Sequence, residues 1–179
     1  MAATTLGQAI RLPDGDPAVA DNCTRFLETQ DAKSVEACKA QLDRAEAAPL
    51  TEHMARIVAN DEYGIALLAS AHEPEQALQV FNSEIGMLPA STVKPDSLQW
   101  AAAFWHRATA YQQLGQDDRA AADLGTAEDT LKKAALAAAG DPARKEHFEE
   151  LRKRVLAQHS ALLEHQGKHA EAQQILGVR

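Results

Sequence analysis

Residues 101–127 read AAAFWHRATAYQQLGQDDRAAADLGTA, and their spacing decides the fold. Large or small apolar side chains recur three and four apart: Phe104, Ala108 and Tyr111 before Gly115, then Ala120, Leu124 and Ala127 after it. That spacing describes two amphipathic helices joined at a glycine turn, and so short a connection makes them antiparallel. Ala108 and Ala120 stand where the helices would cross, and a larger side chain at either would hold the axes apart. Tyr111 and Leu124 fill the space above and below the crossing.

The spacing recurs. Leu156, His159, Ser160, Leu163, Gly167, Ala172 and Leu176 repeat it near the C-terminus. Tyr63, Gly64, Leu67, Ala77 and Phe81 repeat it more loosely, with one extra residue in the turn, and residues 23–37 are hairpin-like but match poorly. A large residue, a small one four later and a tyrosine three after that, then a turn glycine, then Ala-x3-large-x2-Ala, resembles the tetratricopeptide repeat. The sequence departs from it at Arg107, where the family commonly has leucine, and at Lys132, where it commonly has proline. Without that proline the second helix of the pair can run on. The resemblance implies an all-α stack of antiparallel helix pairs that binds a peptide or partner helix in its concave groove.

Proline and glycine punctuate the rest. Asp16-Pro17 and Asp141-Pro142 read as N-caps followed by proline in the first helical position. Gly140 stands where a helix end favours a left-handed glycine. Pro49 with Thr51, Pro74 and Pro95 mark further starts. About eight helices follow, near 17–29, 31–47, 51–71, 74–86, 96–114, 117–139, 142–165 and 168–177. They group into units at roughly 17–47, 51–86, 96–139 and 142–177 of one domain, 16–179, behind a loose tail, 1–15. A linker is expected at 86–95. The helices at 117–139 and 142–165 are long enough for their hairpin to project beyond the stack.

Composition agrees with helices. Hydrophobic residues make up 45% and aromatics only 4%, with alanine prominent and no period-two run of β-branched residues. Eighteen basic against 26 acidic residues give a net charge of −8, which argues against nucleic acid as a partner. Lys145, Arg152, Lys153 and Arg154 are interleaved with Glu146, Glu149 and Glu150, as on a solvated helix face. No apolar run approaches the roughly 18 residues of a membrane span.

Cys23 and Cys38 are equidistant from a turn between Gln30 and Asp31. Helix axes about 8–10 Å apart would leave their Cα atoms about 4–5 Å apart, at the short end of disulfide range. A bond would imply an oxidising compartment and an exported, periplasmic protein, and small exported bacterial repeat proteins are similar; two reduced, buried, alanine-like cysteines would instead imply the cytoplasm. Residues 1–17 have neither a basic start nor an apolar stretch, so an exported protein would carry its leader outside this sequence. Asn22-Cys23-Thr24 fits a glycosylation sequon, which matters only in a eukaryotic secretory route.

No enzymatic chemistry is expected. The seven histidines form no H-E-x-x-H pattern, no C-x2-C occurs, and His165 and His169 straddle the turn at Gly167, so they read as surface residues without metal. No G-x-S-x-G elbow or phosphate-cradling loop is present, and no cofactor is implied. The candidate functional residues are those of a binding face. If Phe104, Arg107, Ala108 and Tyr111 face the partner helix or the next pair, then Ala102, Trp105, Thr109, Gln112 and Gln113 turn to the opposite side. The resemblance places such positions on the concave groove, with Glu164 and His165 extending it. Trp105 would be an apolar anchor there; the alternative is that it packs under the long hairpin or the N-terminal tail. Besides peptide binding, self-association and service as a helical accessory subunit of an enzyme fit the pattern.

Ala108→Leu and Ala120→Leu are each expected to overpack the crossing and to cost about 1–3 kcal/mol. Thermal melts check this, and two variants melting with the parent would reject the assigned register.

Overall fold

Proline and glycine end most of the helices where the sequence places them. A computed structural model describes residues 22–29, 31–49 and 53–177, and among these every regular element is helical. The expected tail, the Asp16-Pro17 start and the Thr51 start lie outside the described residues. Contacts divide the chain into two compact units, Met1–Thr92 and Val93–Arg179, and the division falls within the expected linker.

The first unit holds α1 (Asn22–Glu28), α2 (Ser34–Ala47), α3 (His53–Ala66) and α4 (Pro74–Met87), the last followed by a 3₁₀ turn, Leu88–Ala90. Each helix packs on the next, and α1 also reaches α3. The α2 residues Ser34, Cys38, Leu42 and Ala45 are its buried stripe, spaced four, four and three apart as one face of a helix requires. Cys23 and Cys38 lie at bonding distance, 2.09 Å between sulfurs, with Cα atoms 4.6 Å apart as the hairpin geometry predicts. Both are fully buried and form a small core with Ala66, flanked by Leu27, Val35, Ala37 and Tyr63. Arg56 of α3 caps the end of α2, donating from Nε to Ala45 O (3.0 Å) and from Nη2 to Ala48 O (2.6 Å). It supplies a cation and donors where helix carbonyls lack partners.

The extra residue of this unit's repeat spacing has a structural outlet. After α3 the chain makes one π-helical turn, Leu67–Ala71, and closes it at His72, whose φ of 56° is left-handed. A π turn takes up one more residue than an α turn. Pro74 then starts α4 at its first turn, as expected. On the facing helices, a Cβ added to Gly64 would overlap the Phe81 ring, so glycine is what lets α3 approach α4 this closely.

The second unit holds α5 (Leu98–Gln113), α6 (Asp117–Ala137), α7 (Pro142–His165) and α8 (His169–Ile175), again each packed on the next. Ser97 caps α5 by accepting from Trp100 N at 3.4 Å, and Asp141 caps α7 by accepting from Arg144 N at 3.1 Å. Ala101, Ala108, Ala120, Leu124 and Ala127 are all completely buried between α5 and α6. Gly115 and Gly167 take the left-handed conformation at the α5–α6 and α7–α8 turns (φ 67° and 74°). Gly140 does not: α6 leaves through a right-handed turn in which Asp141 N donates to Ala138 O at 2.9 Å, so no left-handed residue is needed. With Lys132 in place of proline, α6 runs 21 residues and α7 runs 24, and residues 139–147 at their shared tip are exposed throughout.

Protein prepared without reductant is expected to show no reactive thiol by Ellman titration after denaturation. Opening the bond, which closes a loop of about 15 residues, is expected to cost about 3 kcal/mol. Two titratable thiols would reject the linkage.

Candidate partner-binding face

Three of the expected groove residues converge on one side chain. Gln158, midway along α7, accepts from Trp105 Nε1 at 2.6 Å and donates to Thr109 Oγ1 at 3.4 Å. The same Nε2 also donates to Gln112 Oε1. Thr109 Oγ1 in turn donates to Trp105 O at 3.3 Å. Trp105, Thr109 and Gln112 occupy successive turns of α5, so a helix with this spacing presents them in a row to its neighbour. Gln158 answers with both amide donors and its carbonyl. Arg154, one turn earlier on α7, lays its guanidinium 5.3 Å from the Trp105 ring centre, in cation–π range. Trp105 is therefore half-buried against the long helix, the arrangement the sequence holds open as the alternative to a free anchor.

The remaining expected residues divide. Ala102 is 1% exposed and offers no surface to a partner; with Ala101 and Ala103 also buried, this turn of α5 is covered on more than one side. Gln113, Glu164 and His165 are exposed. Glu164 pairs with His169 Nδ1, and His165 Nδ1 lies 3.2 Å from Asp117 Oδ2 at the start of α6. Ala157 and Ala161 are exposed on α7 between Arg154 and Glu164. The accessible part of the face is thus a low shelf of two alanines. Cations and aromatic surface lie at one end and acidic and histidine side chains at the other.

Sequence reasoning missed Gln158 and Arg154. Aligning Leu156 with Phe104 in the repeat spacing puts Gln158 level with His106 and Arg154 level with Ala102, both of them buried. That register was the available signal.

Arg107, the departure from leucine, is explained by α6. Its Nε and Nη2 bind Asp123 Oδ2 and Oδ1 at 2.7 and 2.8 Å, a bidentate pair in which Asp123 is 6% exposed. The hydrogen bond to Asp123 holds the guanidinium pKa above its usual value, against desolvation. The Phe104 and Tyr111 rings flank the cation at 5.3 and 5.6 Å. Two histidines also depart from the expected surface placement. His106 is 5% exposed, and His159 is half-buried with its pKa lowered by desolvation, despite the nearby Glu128 and Glu171. Among the described residues no three His, Cys, Asp or Glu side chains cluster as metal ligands would, and no helix is long and apolar enough to cross a membrane.

A hollow lies where the α5–α6 and α7–α8 turns meet, around Gly115, Asp118 and Gln166. Asp118 there accepts from Gln166 Nε2 and Lys168 Nζ, each at 3.2 Å, so its polar groups are directed at one another. Comparison with family models, with curated proteins and with solved structures finds no match for the chain.

Trp105→Ala is expected to lower stability toward the lower end of the roughly 3–5 kcal/mol typical of a core tryptophan, because it removes packing under Arg154 and orphans part of Gln158. Urea unfolding reads this directly; a variant as stable as the parent would show that the indole does not hold α5 to α7.

Proposed function

We propose that the protein is a non-catalytic adaptor of tetratricopeptide-repeat type, exported to an oxidising compartment such as the periplasm, that binds an extended peptide or a partner helix. The observation that carries the repeat reading is the α5–α6 crossing. Ala108 and Ala120 are fully buried, and Gly115 is left-handed at the turn between them. Ser160, Gly167 and Ala172 recur at the same spacing in α7–α8, with Ser160 and Ala172 buried and Gly167 left-handed. Gly64 and Ala77 do so in α3–α4 around the π turn. The bonded distance of Cys23 and Cys38 supports the oxidising compartment.

The binding face in this reading is narrower than the sequence suggests. Trp105, Thr109 and Gln112 serve as its supporting floor, held by Gln158, while Gln113, Ala157, Ala161, Glu164 and His165 offer the contact surface. Exposed alanines beside polar side chains suit a backbone lying close to the helix, with side-chain selectivity set by the charged ends. Self-association is the second reading, and it has the exposed Leu136 and Leu176 (69% and 49%) behind it. Light scattering after size exclusion separates the two, since a monomer excludes self-association as the resting state.

Selection of a random peptide library on the immobilised protein is expected to enrich a family of sequences. Binding of those peptides should fall at least tenfold in the Gln113→Arg, Glu164→Arg double variant, with the melting temperature unchanged. Equal binding by the variant would place the site elsewhere, and a selection that enriches nothing would remove the adaptor reading.

A further inference from the structure

The α3–α4 pair carries a carboxyl where the repeat spacing calls for a small residue. Ala77-x3-Phe81-x2-Glu84 matches Ala120-x3-Leu124-x2-Ala127, so Glu84 occupies the place of Ala127. Both positions are buried: Ala127 is completely so, and Glu84 is 1% exposed. The antiparallel register is set by Gly64 against Phe81. Three residues back along α3 and three forward along α4 bring Asp61 level with Glu84, and Asp61 is 2% exposed. Because no side chain separates the helices at Gly64, the layer beside it cannot widen to admit water without dislodging the Phe81 ring.

Among the described residues, no cation is recorded on Glu84. On α3, Arg56 is directed to the carbonyls closing α2, and Glu62 accepts from Thr24 Oγ1 and Gln41 Nε2. Tyr63 packs toward α1 and α2. The π turn Leu67–Ala71 and the 3₁₀ turn Leu88–Ala90, which also touch α4, contain no titratable side chain. Among the described residues, Asp61 is the charged group that acts on Glu84. Glu84 Oε2 is buried without a hydrogen-bond partner, an expensive state for an ionised carboxylate and a tolerable one for a neutral acid.

We infer that Glu84 is neutral in the folded chain, and that removing its proton beside Asp61 drives α4 away from α3, so that the first unit loosens as pH rises. Desolvation first, and the Asp61 charge second, raise the Glu84 pKa well above the usual value of 4.5. A raised acid binds its proton more tightly in the folded than in the unfolded chain. The stability it contributes is fully present below the unfolded pKa and is lost as pH rises through the folded one. Most carboxylates act in the opposite sense, because partners in the folded state lower their pKa.

Two measurements on the full chain test this. In carboxyl-carbon NMR, the Glu84 side chain is expected to remain in its protonated position well above pH 4.5; titration in the ordinary carboxylate range overturns the inference. In urea unfolding from pH 5 to 8, the folding constant of the parent should fall relative to Glu84→Gln by up to tenfold per pH unit. Hydrogen exchange should localise the matching loss of protection to α4. A parent-to-variant ratio that does not change with pH, or a change confined to α6 and α7, overturns it as well. Should Glu84→Gln fail to fold, the NMR titration of the parent decides alone.

Discussion

Close approach of helices at small residues is the constraint on which the structure depends. Aromatic residues make up only 4% of the chain, so its cores cannot be filled by a few large side chains. Burial comes instead from bringing backbones together. Ala108 and Ala120 permit it between α5 and α6, and Gly64 permits it between α3 and α4, where the Phe81 ring fills the space a Cβ would take. A backbone contact this close leaves little tolerance, because packed interiors do not yield by fractions of an ångström without loss. It also fixes register: once Gly64 is seated on Phe81, the partners of every other layer in the pair follow.

That rigidity accounts for where the polar side chains are found. In the second unit two groups of polar side chains arrive in complementary sets, although Arg152 Nε, His159 Nδ1 and Gln166 Oε1 are buried there without a partner. Arg107 meets Asp123 in bidentate geometry, and Gln158 meets an indole, a hydroxyl and an amide. Such sets add directional specificity to an interface that alanine alone would leave smooth. In the first unit Glu84 has no such partner at Oε2, and it stands in a layer that cannot open. A buried acid with an unpartnered oxygen lowers stability unless it keeps its proton, and the same register that makes the helix pair tight makes that proton hard to lose. The disulfide acts at the other end of this unit. A helix as short as the seven residues described for α1 is marginal by itself, and the link to α2 substitutes a covalent restraint for the packing that so short an element cannot supply.

The sequence was most legible where one residue type has one physical role. Pro74 and Pro142 begin helices, Gly115 and Gly167 turn left-handed, and Lys132 in place of proline lets α6 continue. The cysteine separation was equally direct, since two residues equidistant from a tight turn must lie level. Legibility failed where a role depends on a neighbour distant in sequence. Gly140 resembles a helix-ending glycine, yet the chain after α6 stays right-handed because a hydrogen bond from Asp141 to Ala138 makes the turn. The extra residue after Leu67 was visible as a spacing error, but nothing local said that it would become a π turn rather than a longer loop. Glu84 reads as an ordinary surface acid until its register against Gly64 is known.

The candidate face shows the same limit with more consequence. A helical wheel sorts α5 into a face toward α6 and a face away from it, and leaves open whether the away side is a groove or lies under the long hairpin. In a run of helices joined by short turns, however, the side turned from one neighbour is the side available to the next. Trp105, Thr109 and Gln112 are spaced to meet a third helix as well as they are spaced to meet a ligand, and a wheel drawn for one helix cannot separate the two. What separates them is the occupancy of Gln158: an amide with both donors and its acceptor engaged by one row of α5 side chains is part of the scaffold. In the proposed reading, a partner is therefore recognised by what lies beside that row. There the exposed alanines of α7 offer only methyl groups to select on, so in that reading selectivity has to come from the charged residues beside them.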